Sequence, residues 1–450
     1  MKIRTWMLHL GLILTVVISI AFTWLIWFNP TTFFQNVGRT PVDTSSGVTN
    51  ASNKRLDDVY TPTSLMYNET TTKKYQYFNY HSDITNQAKK IMNRVEITSL
   101  KTVAKQNVPK YLATVNQSHS LILNYPDVLP IKYVCILFDK APKKITEDKD
   151  NVDQIIIPTG NSGNTIYFLN SKKQNIYRVS VKNLNVKSLM ALTKDKHTQS
   201  VATALENIGD GYRWTYPQGV KLNEYSYLIN KESAGNMVAK LMGAKLMGAN
   251  TSATIITKQQ DGKTVYSDDA NQRMTVDNKH GEVEYINYDS NDKNKSKVSF
   301  SKTLEINLAK LNSLGVTLDD VRYSNYESKT GEVIYRNYIA GFPIVSEYNY
   351  GTYSLQNVTS NGQRFMFSLY GLQVPLPNTN KQKTLPSTSD ILNRLSSIGY
   401  SSNRVRAIKI AYSWQRNDSS SQVVDLVPTY LIKVDGRWID YEQLFQNFGK

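Results

Sequence analysis

A single cysteine, Cys135, stands in 450 residues, so no disulfide framework holds this chain. A second long apolar run is also missing. Beyond the N-terminal stretch no segment stays uncharged and apolar for long enough to cross a bilayer as a helix, which excludes a polytopic membrane protein. Neither a G-x-x-x-x-G-K-[ST] nor a G-x-G-x-x-G phosphate loop occurs. Charge of one sign is in excess, with 53 Lys+Arg against 37 Asp+Glu and a net +16. It is spread along the chain with no basic stripe or Arg-rich helix, so it does not point to nucleic acid. What is present is ample core material: 40% hydrophobic and 11% aromatic residues exclude a disordered chain. At roughly 100–200 residues per domain the length suggests two to four domains.

Trp6 to Phe28 contains no Asp, Glu, Lys or Arg. At about 1.5 Å per residue it spans roughly 34 Å, enough for a ~30 Å hydrocarbon core. Lys2 and Arg4 precede it, and the first charge after it is Arg39, soon offset by Asp43. The positive-inside rule therefore predicts residues 1–5 in the cytoplasm, a transmembrane helix over 6–28 and the rest outside. Trp6 at one end and Trp24 and Trp27 near the other suit interfacial anchors. Ser19-Ile20-Ala21 also fits a signal-peptide cleavage site, but cutting there leaves an exposed apolar N-terminus, Phe22–Phe28, so an uncleaved anchor is expected. One cysteine in an exported chain, and a diffuse basic surplus facing an anionic cell wall, fit the cell membrane of a Gram-positive bacterium.

Gly11, Thr15, Ser19 and Thr23 recur every four residues and form one stripe on that helix. Small-xxx-small stripes let transmembrane backbones approach closely. The competing reading is that these residues merely dilute a Leu/Ile/Val anchor.

The exported part divides into a polar juxtamembrane linker (29–55) and three segments, 56–185, 186–300 and 301–450. The first is predicted as mixed α+β. A helix begins at Asp83 with Ile84, Ala88, Ile91, Met92 and Val95 on one face, and strands follow at 121–123, 131–138, 154–157, 165–169 and 176–181. The second is predicted to open with a helix over 199–208 that Gly209 stops, then Tyr-rich strands. It carries a tandem pentapeptide, Ala239–Gly243 and Ala244–Gly248, and a charged Asn/Ser-rich loop over 279–297. The third repeats a scheme of helix plus antiparallel meander. One helix is capped at Ser301 and bears Leu304, Leu308, Leu311 and Leu314; strands are expected at 321–326, 333–339, 344–350, 352–358 and 363–369. The other is capped at Ser389 or Asp390 and bears Ile391, Leu392, Leu395 and Ile398; strands are expected at 404–414 and 423–434, with an Asp435-Gly436 turn into Trp438. Each helix is expected to pack on an antiparallel sheet, giving an α+β ectodomain.

Chemistry is sparse. His9, His81, His119, His197 and His280 show no metal-ligand spacing, and Cys135 sits in an apolar run, as an inert thiol would. Ser290-x-x-Lys293, Ser299-x-x-Lys302 and Lys329-Thr-Gly331 imitate penicillin-binding motifs, but the intervals are too short for the intervening catalytic domain. Leu385-Pro-Ser-Thr388 resembles a sortase signal without the glycine that must follow. No catalytic, cofactor-binding or metal-binding residue is predicted, and no cofactor.

Four segments together resemble one family: the anchor exit Ser19–Pro30; Gly331–Val345, with a Gly-x-Pro turn between strands; Lys383–Ser387, leading into a helix; and Val423–Ile432, ending at Gly436-Arg-Trp438. In order and spacing they look like the YycH family of low-GC Gram-positive bacteria. The resemblance implies a non-enzymatic, single-pass protein with a three-domain ectodomain whose C-terminal part is YycI-like. It also implies action with a YycI-like anchored protein on the cell-wall-homeostasis sensor histidine kinase WalK (YycG), through transmembrane and extracellular contacts. The stripe Gly11, Thr15, Ser19, Thr23 then becomes the candidate helix contact. The pentapeptide duplication and the loop near residue 290 depart from the family pattern. The alternative is an extracytoplasmic ligand- or wall-binding module with a passive anchor; an exported enzyme is a third class.

Overall fold

The computed structural model describes residues 53–145, 150–160, 163–209, 211–243, 255–268, 271–288, 299–314, 320–358, 362–377 and 381–446. The apolar run 6–28, with Trp6, Gly11, Thr15, Ser19, Thr23, Trp24 and Trp27, lies outside them, as do the linker to residue 52, the second pentapeptide and residues 289–297 of the expected 279–297 loop. Among the described residues no helix is long and apolar enough to cross a membrane. The fold combines helices with largely antiparallel sheet.

After a short helix, α1 (Leu56–Val59), come β1 (Ser64–Asn68) and β2 (Lys74–Asn79), then α2 (Ile84–Met92), β3 (Glu96–Ala104) and α3 (Val108–Val115). Next are β4 (Ser120–Pro130), α4 (Ile131–Cys135), β5 (Asn151–Pro158), β6 (Thr165–Asn170), β7 (Asn175–Lys182) and α5 (Val186–Thr193), followed by β8 (Thr198–Ile208) and β9 (Gly211–Thr215). All nine strands form one sheet in the order β3-β7-β6-β5-β4-β1-β2-β8-β9. Successive strand residues serve opposite faces. Leu121 and Leu123 enter the main core with Ile155 and Ile157, while Ile122 and Ile156 join Met66 in a second cluster under Tyr111 and Val115 of α3.

Further on lie β10 (Val220–Asn223), β11 (Tyr225–Lys231), α6 (Ala234–Met242), β12 (Ile256–Gln260), β13 (Lys263–Ser267), β14 (Gln272–Asp277), β15 (Glu282–Asn287) and α7 (Phe300–Ser313). They are followed by β16 (Val321–Glu327), β17 (Glu332–Ile339), β18 (Phe342–Val345), β19 (Thr352–Val358), β20 (Gly362–Ser368), β21 (Tyr370–Pro375) and β22 (Gln382–Leu385). The chain ends with α8 (Thr388–Ser397), β23 (Val405–Arg416), β24 (Val423–Val434), β25 (Arg437–Asp440) and α9 (Tyr441–Gln446). The long sheet runs β12-β13-β14-β15-β20-β19-β17-β18-β23-β24-β11-β21, with β16 on β17 and β25 on β24. Among the described strands its one parallel ladder, β18 on β23, joins the two meanders. β10 pairs with β22.

Leu304, Leu308, Leu311 and Leu314 bury the inner face of α7 in the core shared with the first sheet. Ile391 and Leu395 of α8 enter a separate core with β23 and β24. Side-chain oxygens cap the helix starts. Asp83 accepts from Thr85 N (2.7 Å) at α2, Asn107 from Lys110 N (2.9 Å) at α3, and Asn185 from Ser188 N (3.0 Å) at α5. The caps of α7 and α8 are Ser299 and Ser387, each about one half-turn ahead of the expected Ser301 and Ser389.

Four expected elements differ. The loop expected over 279–297 contains strand β15 (Glu282–Asn287), which pairs with β14 and β20. Residues 199–208, expected as a helix, form strand β8, which pairs with β2 (Val201 opposite Gln76) and with β9 (Leu205 opposite Trp214). Val201 and Leu205 satisfy both a helical and an alternating period, and partners distant in sequence decide between them. Residues 131–138, expected as a strand, start with the helical turn α4, since a short apolar run has no period of its own. The strand expected over 344–350 is Phe342–Val345, and the chain turns afterwards through Asn349 and Gly351, both at positive φ.

Candidate functional site

Where β4 meets β5 the register breaks: Asn124 faces Gln154 and Leu129 faces Val152. Four residues, Tyr125-Pro126-Asp127-Val128, therefore oppose the single Asp153. Pro126 has no N–H for a ladder, so a bulge is the conformation such a strand tolerates. The bulge is fixed at several points. Tyr323 Oη donates to Val128 O (2.9 Å), Tyr326 N to Asp127 Oδ2 (3.3 Å), and Lys172 pairs with Asp127 at 2.6 Å. Lys409 of β23 donates from Nζ to Pro126 O at 2.5 Å.

Opposite the bulge, Asp153 is buried, and Ser171 donates to it from both its backbone N (2.8 Å) and its hydroxyl. Burial pushes its carboxyl up to about 6, against the pull of those hydrogen bonds. Burial acts oppositely on Lys409, lowering its ammonium to about 8 although Asp127 favours the charge. Lys409 Nζ also lies 4.8 Å from the centroid of the Trp438 ring.

These groups edge a cavity of about 180 Å³ between the first sheet and strands β16–β18 and β23–β25. Its walls are mixed. Met66, Leu205, Trp214, Phe342 and Ile408 are apolar; Gln76, Asn124, Gln154 and Ser324 are polar; Arg213 adds a second cation. Most polar walls are internally bonded: Tyr111 Oη donates to Gln154 Oε1 (3.0 Å), Gln154 Nε2 to Asn124 Oδ1 (2.9 Å), and Tyr216 Oη to Gln76 Oε1 (2.8 Å). The arrangement can orient a small ligand, and the Ser171 hydroxyl on its wall is held by the Asp153 carboxylate.

The residues singled out from sequence are not gathered here. Cys135 is buried in the main core, where burial pushes its thiol up to about 12. His81 and His197 touch edge to face (4.7 Å), His280 stacks on Tyr348 (3.8 Å), and His119 Nδ1 lies 3.3 Å from Tyr67 Oη. Among the described residues no three His, Cys, Asp or Glu side chains form a metal-holding group. Ser299 and Ser387, from the enzyme-like and sortase-like strings, are helix caps. Lys329-Thr-Gly331 is the β16–β17 turn. Asp153 and Lys409 went unnoticed in the sequence. Their signals were a lone charge inside Val152–Ile157, a lysine inside the apolar stretch Ala407–Trp414, and a Pro-Asp pair within a strand.

Two family models match the chain: "YycH protein, N-terminal domain" over residues 3–198 and "YycH protein, C-terminal domain" over residues 219–446. Among solved structures, YycH from Bacillus subtilis is similar in fold at 15% identity and TM-score 0.69, with 87% of this chain and 98% of that chain covered. An uncharacterized protein from Eubacterium rectale aligns at 11% identity and TM-score 0.31, over 54% of this chain and 86% of that one, which is too low to bear on the fold. No curated protein sequence matches.

Proposed function

The chain belongs to the YycH family, a membrane-associated, regulatory and non-catalytic family of the YycG (WalK) two-component system, and from that premise we propose that it is a single-pass modulator of the sensor histidine kinase. The observation that carries this reading is the pair of family matches, which between them leave few residues uncovered. The finer parts rest on the sequence. Residues 6–28 anchor the protein with the N-terminus inside and the remainder outside, and Trp6, Trp24 and Trp27 sit at the two interfaces. Gly11, Thr15, Ser19 and Thr23 form the face that packs on a kinase helix; the YycI-like anchored partner comes from the family resemblance, not from these residues. Control then consists in binding one conformational state of the kinase better than the other. A differential of a few kcal/mol shifts the signalling equilibrium strongly.

The test is affinity purification of the full-length protein from mildly solubilised membranes, with the anchor-free chain as control and mass spectrometry as readout. A histidine kinase and a second small anchored protein, both lost in the control, are the expected result. Recovery of neither, with wall polymer enriched instead, would replace this reading by that of a wall-binding module with a passive anchor.

A further inference from the structure

Regulation through a transmembrane contact needs no cavity in the ectodomain, yet one is built there, and its most unusual wall is Lys409. An ammonium has three donors. Pro126 O takes one at 2.5 Å, and the Trp438 ring lies beside the group at 4.8 Å. Among the described residues no carboxylate lies within ion-pair distance of it, and Asp127, the nearest source of negative field, is already engaged by Lys172 at 2.6 Å. Lys409 is half-buried, and a cation on a cavity wall with no carboxylate in contact gains by pairing with an anion that enters the cavity.

Size and charge narrow the ligand. An apolar cavity of about 150 Å³ holds a benzene molecule, so the volume of about 180 Å³ here suits one ring or branched chain with a small acid group. Met66, Leu205 and Phe342 offer the apolar contact. Asp153 also lines the cavity, and its negative field disfavours a dianion more than a monoanion, so a carboxylate fits better than a phosphate monoester.

We propose that the cavity beside the β4 bulge is a binding site for a small carboxylic acid with a ring-sized apolar body, its carboxylate paired with Lys409 Nζ and its body against Met66, Leu205 and Phe342. Such a ligand would bridge β4 of the first sheet and β23 of the C-terminal strands, and so tie ligand occupancy to the packing between them. The site is independent of the transmembrane contact: it stands or falls whether or not a kinase is recovered with the protein.

The probe is 4-fluorobenzoate, followed by 19F line broadening on the full-length protein in nanodiscs, with 4-fluorobenzamide and 4-fluorophenyl phosphate as comparators. Empty nanodiscs correct for partition into lipid. Broadening that saturates with benzoate is expected, with the amide and the phosphate each weaker by about tenfold or more. Lys409→Met should abolish that preference while leaving the fold intact, since Met replaces a half-buried ammonium with an apolar chain of similar length. Lys409→Arg should keep it. Ala407→Phe, which narrows the cavity from β23, should weaken all three probes. Equal binding of benzoate and benzamide, an unchanged preference in Lys409→Met, or no saturable broadening by benzoate would each overturn the proposal.

Discussion

The guanidinium of Arg322, at the start of β16, contacts the carboxylate of Asp83 across 239 residues of sequence, and that same carboxylate caps α2. One oxygen of Asp83 accepts from Thr85 N and Oγ1, both at 2.7 Å; the other accepts from Arg322. Arg322 is fully buried and also bonds Asp320 (2.6 Å), Thr85 Oγ1 (2.9 Å) and Pro62 O (3.3 Å), with its Cζ 5.4 Å from the centroid of the Tyr338 ring. Local capping and long-range packing thus share one side chain.

Arg322→Met should cost about 3–5 kcal/mol, because it leaves two carboxylates facing a buried site without their cation. Asp83→Asn keeps a competent cap but removes the ion pair, so its loss should be smaller. Urea denaturation of the two single variants and the double variant measures the coupling; simple additivity would show that the cap and the ion pair act independently.

Asp153 sets a pH dependence. Its carboxyl holds a proton up to about pH 6 in the folded chain, against an ordinary value of 3.8. Between about pH 4 and 6 the folded state therefore binds more protons than the unfolded state, and this group lowers stability as pH rises. Its full cost, on the order of 3 kcal/mol, is reached above pH 6. Asp153→Asn should be more stable than the parent at pH 7 and show no such gain at pH 3.5. A denaturation midpoint that is lower at both pH values would refute the assignment.

Cys135 should resist alkylation. With its thiol buried and held near 12, iodoacetamide at pH 8 should label it only after unfolding, so labelling rate reports local opening of α4 and the core around it. Rapid labelling of the native protein would place the thiol in a reactive, accessible site.

Gly362 opens β20 at φ +99°, and a Cβ there would meet Asn287 O at 1.4 Å. Gly362→Ala must push β15 and β20 apart where Gln363 faces Asn287, with a loss of more than about 1 kcal/mol. Hydrogen exchange of the β15 and β20 amides should rise first; unchanged protection there would argue against this close approach.

In the proposed membrane segment, Gly11→Leu with Ser19→Leu should weaken association with the kinase while insertion is preserved, because Leu keeps the run apolar but fills the proposed close-approach face. Unchanged co-purification would remove the stripe from the proposed contact.

Elements whose period and end signals agree were legible in the sequence. The helix starting at Asp83 is one; the strands 352–358 and 423–434 and the Asp435-Gly436 turn are others, the turn residues both at positive φ. Where signals conflicted, tertiary pairing decided: β8 looks helical until β2 and β9 flank it. The cavity was hidden for a further reason. Lys409 and Pro126 meet across 283 residues, and neither carries a local mark of that contact. The bulge that brings them together shows in sequence only as a proline and an aspartate where a strand wants neither.

The position of β11 has a consequence for how the chain is made. It lies between β21 and β24, with Leu228 opposite Val423, so its hydrogen-bonding edges are completed only by residues made much later. At roughly 5–20 residues per second of synthesis, about 200 residues of delay amount to some 10–40 s. During that interval the Tyr225–Lys231 edge is open to wrong partners and to proteases. A chain lacking its last thirty residues would lose β24 and leave that edge of β11 open permanently, so quality control at the site of synthesis should be far less tolerant of such a loss than the modest size of α9 alone would suggest.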